Sequence, residues 1–283
     1  MEMKTFTLNC TIDAKSYEIY YRLNPNDSIG NFIRSGVPYE PDVSLFLMRI
    51  LREGDFFVDI GAHVGYFSIL AARLIGDTGQ VISFEPEDNN FRDFQANVTL
   101  NNLSNIIQIQ KAVNNKSEER TFYVNSDNGG GHALWDPALF PGNEKSKTTP
   151  KPRNVQTITL DSVLSDMGGK KYPKIVKIDT EGAEKSVLEG ARDMLQKRKT
   201  PFIICELHEF GLREMGSSQY ELRSLMREYN YDTFLLPYNG GLPKLVPYEV
   251  QIQSKIFLNI LFTRSEWLSP YWPVIFVEPD KLV

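Results

Sequence analysis

The sequence predicts an α/β protein: a mostly parallel sheet with helices on both faces, preceded by a small amino-terminal β extension. Three observations carry this expectation. From residue 56 onward, short apolar runs of strand length alternate with longer stretches whose apolar residues recur at helical spacing, and repeated β-α units of this kind imply parallel pairing. A glycine-rich turn joins the first of these strands to its helix, at the strand end where open parallel sheets bind ligands. A hydrophobic share of 41% over 283 residues suits one large domain or two small ones.

In order along the chain, "TFTLNCTI" and "SYEIYYRL" alternate apolar and polar residues and predict a hairpin or small sheet within residues 1–38. "PDVSLFLMRILREGD" has helical spacing and stops at Gly54. Residues 39–264 are expected to form the main domain. Within it "FFVDI" predicts a strand, "GYFSILAARLI" a helix and "GQVISFEP" a second strand. "DNNFRDFQANVTLNN" predicts a helix, "IIQIQKAV" and "IVKID" strands, and "AEKSVLEGARDML" one helix. "PFIICEL" is a strand, "SQYELRSLMREY" a helix and "KIFLNILFTR" a last strand. The polar stretch 125–154 is an insertion, and a loop this long in a compact domain is a lid, a binding loop or a polar insert. Residues 265–283 form a tail. Its Trp267, Tyr271 and Trp272 pack on the core, cap the site or build a homodimer interface.

Composition narrows the function. A net charge of -5 disfavours a protein that wraps nucleic acid, which needs a basic footprint. Cys10 and Cys205 make no disulfide framework and no metal-type spacing, so both read as reduced thiols. The amino terminus lacks the apolar core of a signal peptide, and no apolar run approaches the ~18 residues of a membrane helix. The expected setting is the cytoplasm, with a small-molecule or peptide partner and neither membrane nor nucleic acid.

"VDIGAHVGYF" places Asp59, Gly61 and Gly65 at the strand-helix junction. A dinucleotide site wants a glycine at the middle position, where backbone approaches a pyrophosphate; His63 stands there instead. S-adenosylmethionine presents no phosphate but an amino-acid end and a ribose. Asp59 would receive its ammonium directly or through water, while Gly61 and Ala62 let the chain turn tightly. The second strand ends in Glu85-Pro86, and a carboxylate there suits the two ribose hydroxyls. The third strand end, Lys111-Ala112-Val113, would lie beside the adenine, and Tyr39 with Glu40 would close over the methionine end.

Beyond these residues, the blocks "FFVDIGAHVGYFSILAA", "VISFEPEDNNFRDFQANVTLNN", "TLDSVL" and "VKIDTEGAEKSVLEGA" resemble the FkbM-type S-adenosylmethionine-dependent methyltransferases, over roughly Tyr39 to Phe262. The resemblance implies a class I (Rossmann-like) methyltransferase fold and methyl transfer to oxygen, on a hydroxyl of a small specialised metabolite or sugar. By position, Asp59, Gly61, Gly65 and Glu85 match the family's cofactor motif, and Asp179, Glu181 and Glu184 its acidic block. Two alternatives stay open: a peptide, amine or carboxyl acceptor, and an NAD-linked oxidoreductase, against which His63 speaks.

The acidic block divides by position. Glu184 falls in a first helical turn, where an acid complements the helix dipole by ~0.3–1 kcal/mol. Glu181 is either such a charge or a substrate contact. Asp179 ends its strand at the ligand edge and shares a face with Lys177, so it either pairs with that lysine or faces the methyl group. In "CELHE", Glu206 and His208 are two apart and are expected on one face, ~5 Å from the neighbouring strand end. Methylating an alcohol needs a base or a divalent metal that acidifies the hydroxyl. His208 is the expected base, with Asp179 and Glu206 holding substrate or a metal; a packed structural histidine is the competing reading. In the insertion, His132 and Trp135 are expected to reach the substrate when the loop folds down.

Overall fold

The computed structural model describes residues 3–12, 15–24, 28–125, 130–141, 150–169, 171–253 and 258–272. Strands β1 (Lys4–Ile12) and β2 (Lys15–Leu23) pair antiparallel and bury Phe6, Leu8, Ile19, Tyr21 and Leu23. Helices α1 (Ser28–Arg34) and α2 (Pro41–Ile50) follow, with Pro41 in a first turn that needs no N–H from it. The β-α rhythm then runs β3 (Phe56–Ile60), α3 (Tyr66–Ile75), β4 (Gln80–Phe84), α4 (Asp88–Leu100) and β5 (Ile106–Ile109). Strands β6 (Ala112–Val113), β7 (Glu119–Val124) and β8 (Lys151–Ile158) form a separate sheet in the order β6-β8-β7. Next come α5 (Leu160–Asp166), β9 (Ile175–Ile178), α6 (Glu184–Glu189), α7 (Arg192–Lys197) and β10 (Phe202–Leu207). The last elements are α8 (Glu209–Glu214), α9 (Gln219–Glu228), β11 (Asp232–Leu235), β12 (Lys244–Val246), β13 (Leu258–Thr263) and α10 (Ser265–Leu268).

The main sheet has the order β12-β11-β13-β10-β9-β3-β4-β5. Its β5, β4, β3, β9 and β10 are parallel neighbours, and β13 runs antiparallel between β10 and β11. The chain steps from β3 outward to β4 and β5, then returns to place β9 on the other side of β3. That reversal opens a crevice at the carboxyl ends of β3 and β9. Alternation assigns the two faces: Phe57 joins the apolar cluster of α1 to α4 and the hairpin, whereas Phe56, Val58 and Ile60 join that of α5 to α9. Among the described residues no helix is long and apolar enough to cross a membrane.

The hairpin docks through two asparagines of α4. Asn97 Oδ1 accepts from Arg22 N at 2.6 Å, and Asn101 both accepts from Tyr20 N (2.9 Å) and donates to Tyr20 O (2.6 Å). Side-chain amides thus replace a neighbouring strand along β2. Asn97 Nδ2 also donates to Val64 O at 3.0 Å, which ties the hairpin to the turn after β3.

Three elements differ from expectation. Helix α2 stops at Ile50, ahead of Gly54. "IIQIQKAV" breaks after Ile109, and Ala112–Val113 leaves to pair with β8. "AEKSVLEGARDML" is two helices because Gly190 passes the chain at Asn114, where a Cβ would lie 2.2 Å from that carbonyl oxygen. Asp161 then caps the second helix, accepting from Asp193 N (2.8 Å) and Met194 N (3.0 Å). Helices α1, α5, α8 and α10 and strands β7, β8, β11 and β12 have no counterpart among the elements expected from the sequence.

Gly65 fixes how α3 meets α4. Its φ is 88°, and an added Cβ would lie 2.1 Å from the Phe94 ring. Gly65→Ala is expected to cost about 2–4 kcal/mol in urea unfolding. Gly168→Ala, with φ 92° and nothing within 4 Å of the added Cβ, is expected to cost only the backbone strain, about 1 kcal/mol. Equal losses would refute the packing role.

Candidate active site

Gly61 has a φ of 84°, and a Cβ there would lie 1.8 Å from Asp179 O. Glycine therefore lets the carboxyl ends of β3 and β9 approach closely. Gly61 N and Ala62 N donate to Phe84 O at 3.0 and 2.9 Å, locking the turn to β4. His63 takes a left-handed φ of 52° and its N–H donates to Glu85 Oε2 at 2.8 Å. Glu87 N–H holds the other oxygen, Oε1, at 2.9 Å. Burial pushes Glu85 up to about 7, against the pull of these two donors.

Above this edge lies a cavity of about 750 Å³, within the range of small-molecule sites. Its floor is the turn from Gly61 to Val64, with Glu85, Pro86 and Ala112 along one side. Lys177, Asp179, Glu181 and Glu206 form the opposite side, and Tyr39, Glu40 and Phe67 the end. Leu23, Asn24, Ser28 and Ile29 add a wall that sequence reading missed, because hairpin and sheet meet only in three dimensions. Glu40, His63 and Glu181 line the cavity with φ values of 39°, 52° and 55°, a backbone state that clusters at functional sites.

Lys177 organises the charge. It is 2% exposed, lies beside Asp59 in the β3–β9 register, and donates to Asp179 Oδ2 at 2.7 Å. Its ammonium also sits 4.6 Å from the Phe67 ring centroid. Burial opposes its charge, yet Asp179, Glu40 and Asp59 outweigh that and hold its pKa above the ordinary lysine value. Burial likewise raises Glu40 to about 7 against the pull of Lys177.

Asp59 was expected to meet a ligand ammonium, but it is fully buried and does not line the cavity. It accepts from Ser68 Oγ at 2.5 Å and neighbours Lys177. The correction follows from alternation: Asp59 points into the helix-covered face, one residue short of the strand end. Gly65 also lies off the cavity and serves packing.

Asp179, Glu181 and Glu206 converge, each offering an oxygen within 4.8 Å of the others. Burial and then Asp179, Glu181 and Glu40 push Glu206 well above the usual carboxylate range. Its Oε2 is buried and has no hydrogen-bond partner among the described residues. His208 does not join them. Strand β10 ends at Leu207, so alternation stops there, and His208 becomes the residue before α8. It packs between a tilted Trp135 and an edge-on Phe140, at 5.7 and 5.2 Å between centroids, with Nδ1 3.2 Å from Glu181 Oε2. The expected base is thus a support behind Glu181. Burial works against its charge, but Glu181 raises its pKa.

Glu184 opens α6, as expected, but the helix start is not its only role. It is fully buried, and its Oε1 accepts from Thr180 N, Thr180 Oγ1 and Gly182 N at 3.0–3.1 Å, holding the turn that carries Glu181.

From the insertion, Gly130, His132 and Leu134 line the cavity. Ala133 makes an isolated antiparallel bridge to Tyr123, so this part of the loop lies along the edge of β7. His132 Nδ1 accepts from Asn125 N at 2.9 Å, and burial, helped by His63, lowers its pKa to about 4. Trp135 lies behind the wall; its indole N–H donates to Glu181 O at 2.6 Å. Residues 126–129 and 142–149 of the insertion lie outside the described residues. The tail aromatics pack on the core: Trp272 against Phe46, Tyr271 against Phe202 and Trp267 against Tyr231. None lines the cavity.

The sequence profile of the Methyltransferase FkbM domain matches residues 59–233, more than half of the chain. The chain belongs to the FkbM methyltransferase family. Its relatives include the hexuronic acid methyltransferase AglP of Haloferax volcanii, 25% identical over 170 residues, 60% of this chain and 62% of that protein. Methyltransferase 1 of Beauveria bassiana is 26% identical over 150 residues, 50% of this chain and 60% of that one. The chain therefore spans about three fifths of the length of these relatives. A crystal structure of methyltransferase FkbM from Methylobacillus flagellatus aligns over 83% of this chain and 52% of that one, with TM-score 0.43 and 15% identity.

Family membership leaves the oxidoreductase alternative without support. The FkbM match begins at Asp59, so the wall from Leu23 to Glu40 precedes it.

Replacing Lys177 by Met would strand Asp59 and Asp179, and the expected loss of stability at pH 7 is about 3–5 kcal/mol. Glu40 is already raised to about 7, and losing the ammonium raises it further. The folded variant then binds protons that the unfolded chain does not, so its deficit shrinks as pH falls from about 7 toward 5. Urea unfolding across that range checks both points; a pH-independent deficit below about 1 kcal/mol would remove Lys177 from this role.

Proposed function

We propose that the protein is an S-adenosylmethionine-dependent O-methyltransferase acting on a hydroxyl of a sugar or small metabolite. The observation that carries this reading is Glu206, whose buried Oε2 has no hydrogen-bond partner among the described residues and whose carboxylate lies on the cavity wall. Transfer to an alcohol needs a proton acceptor beside the hydroxyl, a role worth ~10²–10⁴-fold. A carboxylate raised above its ordinary pKa is a stronger base than an exposed one, which suits Glu206 to take that proton. Asp179 and Glu181 orient the hydroxyl, and Lys177 holds Asp179 in place.

S-adenosylmethionine supplies an electrophilic methyl group when bound. The residues present suit it. Both oxygens of Glu85 are held by backbone donors and keep lone pairs for a ribose diol. Ala112 and Val113 offer a small apolar surface for the base. Tyr39 and Glu40 stand where an ammonium end would be received. Support for a sugar acceptor comes from the name of the Haloferax volcanii relative.

A divalent cation on Asp179, Glu181 and Glu206 is the competing way to acidify the hydroxyl, since hard cations favour oxygen ligands. Lys177 already provides a positive charge at Asp179, 2.7 Å away, which favours the base.

Titration calorimetry with S-adenosylhomocysteine is expected to show one site, weakened roughly 10–100-fold by Glu85→Gln. Glu206→Gln is expected to keep that affinity while lowering kcat about 10²–10⁴-fold on a panel of hydroxylated sugars. In the wild type kcat should fall as pH drops through the raised pKa of Glu206, and the variant should lack that limb. A Glu206→Gln enzyme with full activity would sink the assignment. Chelation is expected to leave turnover unchanged; loss of activity restored by Mg²⁺ would move the three acids from base to metal.

A further inference from the structure

Beside the main cavity lies a cleft of about 320 Å³ lined by Lys151 and Arg153 of β8 with Asn89, Asn90, Asn125, His132, Val124 and Glu87. Asn90 and His132 line both spaces, so the cleft adjoins the cavity. Lys151 and Arg153 are two apart on one strand and share a face. Neither forms an ion pair among the described residues. Glu87, the acid in this lining, is committed to capping α4: it accepts from Asn89 N and Asn90 N at 2.8 Å and from Asn89 Nδ2 at 3.1 Å. The cavity has the opposite character, with Glu40, Asp179, Glu181 and Glu206 around Lys177.

We propose that this cleft is an anion subsite, which holds a carboxylate or phosphate of the acceptor while its hydroxyl lies at Glu206. The inference rests on the O-methyltransferase reading and adds the substrate class: an acidic or phosphorylated sugar. The charge arrangement sets the orientation. An anionic group is repelled by the four carboxylates at the reacting end and attracted by Lys151 and Arg153 outside it, so the acceptor enters with its hydroxyl foremost. His132, at the junction, keeps Nδ1 on Asn125 N and has Nε2 to meet a ring hydroxyl between the two ends.

The test uses the full chain saturated with S-adenosylhomocysteine, probed by ligand-observed NMR with glucuronate, glucose 1-phosphate and glucose. At low ionic strength at least one anion is expected to bind roughly five- to tenfold tighter than glucose, and added salt should erode the difference. The stronger of the two anions identifies the source, carboxylate or phosphate. Lys151→Ala combined with Arg153→Ala should abolish the preference while leaving S-adenosylhomocysteine affinity unchanged, because both side chains lie outside the cavity lining. Anions that bind no tighter than glucose, or a preference that survives in the double variant, would overturn the subsite. Failure to bind S-adenosylhomocysteine at all would instead overturn the methyltransferase reading, so the two failures are distinct.

Discussion

A single buried ammonium holds the reacting end of this protein together. Lys177 lies between Asp59 of β3 and Asp179 at the end of β9, with Glu40 approaching from the start of α2. Burying several carboxylates at one sheet edge would be prohibitive without a cation among them. The same lysine thereby permits a crowded acidic wall, in which Glu206 and Glu40 hold protons more tightly than ordinary carboxylates. Stability and chemistry share one charge balance there, and Asp59 belongs to the stability side.

The wall depends in turn on a second layer of polar contacts that never touch a ligand. Glu184 gathers three donors from Thr180 and Gly182 and so fixes the left-handed turn at Glu181. Trp135 and His208 meet Glu181 from behind, through its carbonyl and its carboxylate. Gly182 and Gly211 pass so closely that a Cβ on Gly182 would lie 2.3 Å from the Gly211 carbonyl carbon. The described part of the insertion is thus coupled to the active wall through one glutamate. Asn97 does the same on the other side, joining the hairpin to Val64 in the turn after β3.

The proposed orientation of the acceptor rests on the contrast between the two spaces. The inner cavity offers proton acceptors around a cation, and the outer cleft offers cations around amides. An acceptor that carries both a hydroxyl and an anion can satisfy both, and a neutral or reversed molecule cannot. Such polarity gives orientation without a deep, shape-selective pocket.

The order of β-α units, the glycine turn and the acids at strand ends were legible in the residues themselves, because periodicity and turn chemistry are local. Alternation correctly placed Lys177 and Asp179 on one face. It failed at His208, since the period of two ends with the last paired residue, Leu207, and beyond it the chain follows α8. It also left Asp59 in view as a ligand contact, although a position one residue inside the strand end is buried once helices cover the face. The wall from Leu23 to Glu40, the inward turn of Glu184 and the basic cleft beside β8 were decided only by tertiary structure. Each depends on segments far apart in sequence coming into contact, and no local pattern encodes which distant surface a side chain will meet.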